Sequence, residues 1–386
     1  MNSSLRLPHI RIVFPILCLA IASSLKSQDF EREIPLPLVT LVQPPNSPSM
    51  RNVTLAEKQV AEIEKLIGEL ANIEKNDIYL NRTLWGSVFV PIGKFNTFGD
   101  WTNESVNASD AVKKLIQFGP TAIPFLLEGL DDATPTQIVI NSVKTEGAIA
   151  GGMAFDEVLH GNPANPNEHH ILRLHRLPWT SSTQIGNSLA VEPEIESYRI
   201  KIGDVCFVIL GQIVGRKYEI ASSTHVKSLG ILICSPVHKK RMRVRLRNIW
   251  KTSNPKQKLL ESLLLDFSTR GMVQPDSLDN WTIGNNFQIE ASKRLLFYFP
   301  EVAVPILVDR LDQLRTTGEY VEDSIANGLS AYKFVHALAW SKDKTLRTAF
   351  ERLKRRAKHK ALLEALEMAS RIKLKEPDNN ALDRSR

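Results

Sequence analysis

Phe118-Gly119-Pro120-Thr121-Ala122-Ile123-Pro124-Phe125-Leu126-Leu127-Glu128-Gly129-Leu130-Asp131 reads as a helix break followed by a short apolar helix. Before it, Ala111, Val112, Leu115 and Ile116 recur at helical spacing, and Gly119-Pro120 interrupts them. Ala122, Ile123, Leu126, Leu127 and Leu130 then resume the period up to Asp131-Asp132. Two short amphipathic helices joined by so tight a break predict an antiparallel pair. The stretch occurs twice. Leu295, Leu296 and Phe299 lead into Pro300, and Phe118, Ala122, Pro124, Leu126, Leu130 and Asp131 align with Phe299, Ala303, Pro305, Leu307, Leu311 and Asp312. The offset is constant at 181 residues, and six identities in fourteen positions exceed coincidence. Pro124 and Pro305 fall in the first helical turn, where a missing N–H costs nothing.

These Ala-x-Pro-x-Leu second helices resemble those of HEAT-like helical repeats. The whole chain is similar to a group of exported proteins of planctomycete-type bacteria in which such hairpins surround a short β-segment. The resemblance implies an α+β fold that is predominantly helical, and it implies no particular chemistry. An offset of 181 residues far exceeds the period of roughly 40 to 47 of a tandem array, so two separated pairs are expected in place of a regular solenoid.

Outward from these pairs, the chain of 386 residues is 43% hydrophobic and 24% charged, a globular balance that excludes disordered, collagen-like and membrane-spanning classes. Arg6, His9 and Arg11 precede an apolar run from Ile12 to Ala22 that ends in the small residues Ala20 and Ala22. This predicts a secretory signal over residues 1–22 and an exported product, periplasmic or secreted. The run contains Pro15 and falls short of the roughly 18 to 20 residues of a membrane anchor. Leu17 before Cys18 argues against lipoprotein attachment. Residues 23–53, with prolines at 35, 37, 44, 45 and 48, predict an extended tether. Thr54-x-x-Glu57 then predicts a capping box, followed by a helix carrying Val60, Ile63, Ile67 and Leu70. Tyr79, Trp85, Phe89, Phe95, Phe98 and Trp101 are expected to fold back onto helices. Asn52, Asn81, Asn103, Asn107 and Asn280 sit in Asn-x-Ser/Thr triplets, which matter only in a glycosylating host.

The expected division is a helical region at 54–134, a central β-containing module at 135–236, a second helical region at 237–376 and a frayed tail at 377–386. Within the module, residues 137–143, the alternation of Tyr198, Ile200 and Ile202, the apolar run Val205 to Leu210 and residues 229–234 predict four or five strands. Gly203-Asp204 is read as a turn. A small antiparallel sheet or partial barrel would hide their edges. Cys206 and Cys234 lie in two of these runs, and either a cross-sheet disulfide or two buried thiols fits.

Two constellations could carry chemistry. Asp156-Glu157-x-x-His160, with Glu168, His169, His170 and His175 beyond a turn-rich stretch, would place Asp156 and His160 one helical turn apart as half of a carboxylate and imidazole site. That arrangement suits an envelope hydrolase, and surface histidines beside a loop are its ordinary counterpart. Lys239, Lys240, Arg241, Arg243, Arg245, Arg247 and Lys251 form a run of cations without a carboxylate, in a chain of net charge +7. The spacing of Met242, Leu246, Ile249 and Trp250 predicts a helix there, and its surface would suit a polyanion. Export makes nucleic acid the wrong one; an acidic polymer or lipid head group is met first. Nucleophile-elbow, phosphate-loop, dinucleotide and zinc-protease motifs are lacking, as is zinc-ligand spacing, so no metal or cofactor is expected. The leading expectation is a non-enzymatic interaction or scaffold protein that binds a protein or envelope partner through its helical surfaces.

Overall fold

The computed structural model describes residues 57–74, 89–95, 108–141, 153–155, 195–223, 231–268, 287–314 and 331–371, with isolated positions 157, 159, 161, 162, 165, 168 and 316. The expected signal, tether and tail, the glycosylation triplets and most of the aromatic loop lie outside them, although Phe89 is described and packs edge-on to Phe297 and Tyr298. All described residues belong to one unit, Asn52–Arg386. The fold is α+β and predominantly helical, as the residue pattern predicts.

The first helix, α1 (Glu57–Glu69), buries Ile63 and Leu66 against α2 (Asp110–Phe118). Ser109 caps α2 by accepting from the Val112 N–H at 3.2 Å. A short 3-10 turn at Gly119–Thr121 leads into α3 (Ile123–Gly129). Then β1 (Pro135–Asn141), β2 (Met153–Phe155) and β3 (Ser197–Lys201) follow. β1 and β3 pair antiparallel, with Ile140 opposite Tyr198 and an irregularity between Pro135 and Val139. Thr136, Ile138, Tyr198 and Ile200 point inward from this pair.

The largest departure from expectation comes next. Ile202–Val214 forms one buried helix, α4, with no turn between it and β3. A continuous apolar run cannot be told from a buried strand by periodicity, and here thirteen residues suit a buried helix better than a strand. Its ends show why. Asp204, read as a turn residue, is the third helical position and accepts the Lys201 N–H at 2.9 Å, a capping-box contact that starts a helix. Gly215 stops it in the left-handed region at φ 74°, where glycine is unstrained.

The remaining strands among the described residues are β4 (Ala221–Ser223) and β5 (Ile231–Ile233). β5 pairs antiparallel with β4 and parallel with β2, so the described strands make two small sheets, one of them mixed, where a single antiparallel sheet or partial barrel was expected. With Cys206 moved onto α4, the two cysteines no longer face each other across strands. No disulfide joins Cys206 and Cys234, and both are buried thiols.

Among the described residues seven more helices follow: α5 (Lys240–Trp250), α6 (Pro255–Ser268), α7 (Phe287–Tyr298), α8 (Pro300–Asp312), α9 (Ala331–Leu338), α10 (Lys344–Arg356) and α11 (Lys360–Arg371). α10 and α11 are separated at residues 357–359, where Ala357 has extended backbone. Two buried helices organise the packing. α2 and α3 both lie against α4, so the first helical pair opens around a third helix, whereas α7 packs on α8 directly and on α6 and α9. The two pairs meet at their breaks. Tyr298, next to Phe299, donates its hydroxyl to the Ile116 carbonyl at 2.6 Å, and its ring covers Gly119, next to Phe118. Gly119 adopts φ 57°, and a Cβ there would fall 2.4 Å from the tyrosine ring.

Candidate interaction surface

Arg243 and Arg247, four apart on α5, both contact Asp131 at the end of α3. Arg247 also donates to the Leu127 carbonyl at 3.0 and 3.1 Å, and Arg243 to the Pro236 and Val237 carbonyls at 2.5 and 2.7 Å. Carbonyls of a last helical turn have no partner within their own helix, and cations there also oppose the negative end of the helix dipole. The second pair repeats the device. Arg352 contacts Asp312 at 2.7 Å, and Arg356, four residues on, donates to the Asp312 and Leu311 carbonyls at 3.0 and 3.2 Å. Asp131 and Asp312 are the matched aspartates of the 181-residue offset. The basic run on α5, which suits a polyanion in sequence, is therefore partly consumed in clasping α3, as Arg352 and Arg356 clasp α8.

Among the described residues, three hydrogen-bonded charged or polar clusters lie in the interior, apart from the buried Glu219 paired with Lys217. Arg216, one residue past the end of α4, forks onto Glu168 at 2.7 and 2.9 Å and also binds Asp266 and the Ser262 hydroxyl. Asn162 donates through its backbone to Glu168 and through its side chain to Asp266, and Asn165 donates to Glu168. Burial raises the Asp266 pKa, and the Arg216 guanidinium opposes the rise. Beside it on α7, Glu290 binds both Lys293 at 2.6 Å and Arg294 at 2.8 Å, while Arg294 donates to the Gln212 carbonyl and covers the Phe89 ring. The pKa of Glu290 is lowered by its two cations against burial, and that of Lys293 is lowered by burial. Arg216 with two carboxylates carries one excess negative charge, and Glu290 with two cations carries one excess positive charge. Arg294 lies against Gly215, next to Arg216, so the adjoining clusters balance.

The third cluster joins Tyr198, Asp204 and Ser235. Asp204 accepts from the tyrosine hydroxyl at 2.6 Å and from the serine hydroxyl at 2.5 Å. Burial raises the pKa of both Asp204 and Tyr198. His238 stacks on Phe155 with centroids 4.4 Å apart, and its backbone N–H reaches the Ser235 oxygen at 3.4 Å. Serine, aspartate and histidine are all present, but the serine bonds the aspartate directly at 0% exposure, so this is not a relay from a base to an accessible nucleophile.

Of the carboxylate and histidine constellation, Glu157 and Glu168 are described. Glu157 lies outside any helix, after β2, and its carboxylate stands 4.0 Å from the Arg241 guanidinium. Asp156, His160, His169, His170 and His175 lie outside the described residues. Glu168 is instead the buried partner of Arg216 and faces no solvent, so it is a structural carboxylate. Among the described residues no group of three His, Cys, Asp or Glu could hold a metal ion, and no helix is long and apolar enough to cross a membrane.

The basic segment does form a helix with Met242, Leu246, Ile249 and Trp250 buried, as its spacing predicts. At about 100° per residue, Lys240, Lys251, Val244, Asn248, Arg241 and Arg245 occupy an arc of about 140° on the opposite side, and Arg243 and Arg247 lie on the flank toward α3. Lys240, Arg241, Val244, Asn248 and Lys251 are exposed, with Val244 at 45%. Lys239 and Arg245 are half-buried. The Arg245 Nη1 makes no hydrogen bond, and burial, then Arg241, lowers its pKa. No protein-family model, curated protein or solved structure matches the chain, so its function has to be read from these side chains.

Proposed function

We propose that the chain is an exported, non-enzymatic interaction protein that meets a partner in the cell envelope through a surface of its helical body. Export is supported by the apolar run Ile12–Ala22 behind Arg6 and Arg11. The observation that carries the interaction reading is a division among the charged groups. The buried carboxylates Glu168, Asp204, Asp266 and Glu290 each face donors supplied by the protein itself. The outer arc of α5 instead directs Lys240, Arg241, Val244 and Lys251 toward solvent. Buried charges paired inside the protein and a cationic strip facing solvent, with Glu157 4.0 Å from Arg241 at its edge, suit recognition better than bond breaking.

A photo-activated cross-linker placed at Val244, compared with one at the exposed Met368 of α11, tests this in the native envelope fraction. A partner captured at Val244 and not at Met368 is the expected result. Equal labelling at both positions overturns the reading. So does hydrolysis of an envelope polymer by the purified protein that Glu157→Gln abolishes.

A further inference from the structure

We propose that the outer arc of α5 docks on an anionic lipid surface. The inference rests on the interaction reading above and names the partner at that same face. Three observations lead to it. Four cations line the arc, Lys240, Arg241 and the half-buried Arg245 on a helix without a carboxylate and Lys251 immediately past its end; the carboxylate found near it, Glu157, stands 4.0 Å from Arg241 and is 27% exposed. Lys240 and Lys251 lie eleven residues apart, about 16 Å along the axis, so the charges extend over a line and do not gather at a point. Val244 sits among them, and apart from Met368 on α11 it is the exposed large apolar side chain of the described residues.

The valine separates lipid from polymer. A flexible acidic polymer contacts cations through its charges and gains little from an apolar side chain among them. A bilayer offers phosphates to the cations and, just beneath them, an apolar layer for the valine. The helix is also held ready. Arg243 and Arg247 lock its flank to the end of α3, and four buried residues hold its base, so docking orders little that is not already ordered. Each lysine or arginine at an anionic surface strengthens partitioning about fivefold, so four amount to several hundredfold. Such binding is peripheral, reversible and salt-sensitive.

The test is sedimentation of the full chain with phosphatidylcholine vesicles, with and without about a third phosphatidylglycerol, at low and high salt. Neutral vesicles measure whatever the Ile12–Ala22 run contributes. Binding to anionic vesicles should exceed that level and fall with salt. It should drop about 100-fold or more in the fourfold variant Lys240→Gln, Arg241→Gln, Arg245→Gln, Lys251→Gln, and three- to tenfold in Val244→Ser, with circular dichroism showing both variants folded. Unchanged binding of the fourfold variant overturns the proposal. So does an unaffected Val244→Ser together with complete competition by a soluble acidic polysaccharide, which would assign the arc to a polymer. If vesicles fail while the Val244 cross-link still captures an envelope protein, the lipid inference falls alone and the interaction reading stands.

Discussion

Replacing Arg216 by methionine removes the cation that two buried carboxylates share. The guanidinium is 1% exposed and makes two bonds to Glu168, two to Asp266 and one to Ser262. Methionine matches the stem of the side chain, so the cost is chiefly electrostatic, and deleting one partner of a buried ion pair costs about 3–5 kcal/mol. At about 2–3 °C per kcal/mol, the melting temperature should fall by about 6–15 °C. The loss should depend on pH. Burial already raises the Asp266 pKa above its unfolded value, and without Arg216 nothing cationic opposes that rise. A carboxyl whose folded pKa is raised is fully stable below its unfolded pKa and loses stability as pH rises through the folded one. The deficit of the variant should therefore be largest near about pH 7 and shrink toward about pH 5. Thermal and urea unfolding followed by circular dichroism would measure it. Adding Glu168→Gln and Asp266→Asn should restore more than half of the lost stability, because a neutral polar cluster has little burial penalty to recover. A loss under about 1 kcal/mol, or one that does not change with pH, would refute the view that this cluster is an ion triad needing its arginine.

Three further outcomes are expected. Gly119→Ala, strained at φ 57° and facing the Tyr298 ring at 2.4 Å, should destabilise by about 2 kcal/mol or more, and adding Tyr298→Ala should relieve the clash while losing the hydroxyl contact to Ile116. Arg247→Ala, which leaves the α3 carbonyl of Leu127 without its donor, should lower stability by no more than about 1 kcal/mol because the site is half open to water, and thermal unfolding with Asp131→Asn should show the two changes to be non-additive. Burial pushes the Glu219 carboxyl up to about 7 against the pull of Lys217 at 2.9 Å, so its ionisation destabilises the fold as pH rises through that value. Glu219→Gln should flatten the pH dependence of unfolding between about pH 5 and pH 8.

Much of the helical frame was legible because it is amphipathic. Asn254 caps α6 by accepting the Gln257 N–H, with Pro255 opening the helix, and the buried positions of α5 are those its spacing predicts. The β1 and β3 alternation held for the same reason, since each strand has one dry face and one wet one. α4 was illegible because all its faces are dry: a helix buried on every side carries no period. The local sign is only half of a capping box: Asp204 accepts the Lys201 N–H, but Lys201 offers no acceptor in return, so the sequence carries no full helix-start signature there. The arginine clasps were equally hidden. Nothing in a run of seven cations says which of them turn inward, because that depends on where a helix 116 residues earlier comes to rest.

The two clasps also differ in reach. Arg352 and Arg356 close on Asp312 and its neighbours across 40 to 45 residues, whereas Arg247 closes on Leu127 and Asp131 across 116 to 120. Loop closure over the longer span costs about 1 kcal/mol more entropy. The amino-terminal pair must also wait for Tyr298 to cover its break, 182 residues beyond Ile116. The half that leaves the ribosome last is thus the half built to assemble on its own, and the half made first stays open until its far-off fasteners arrive.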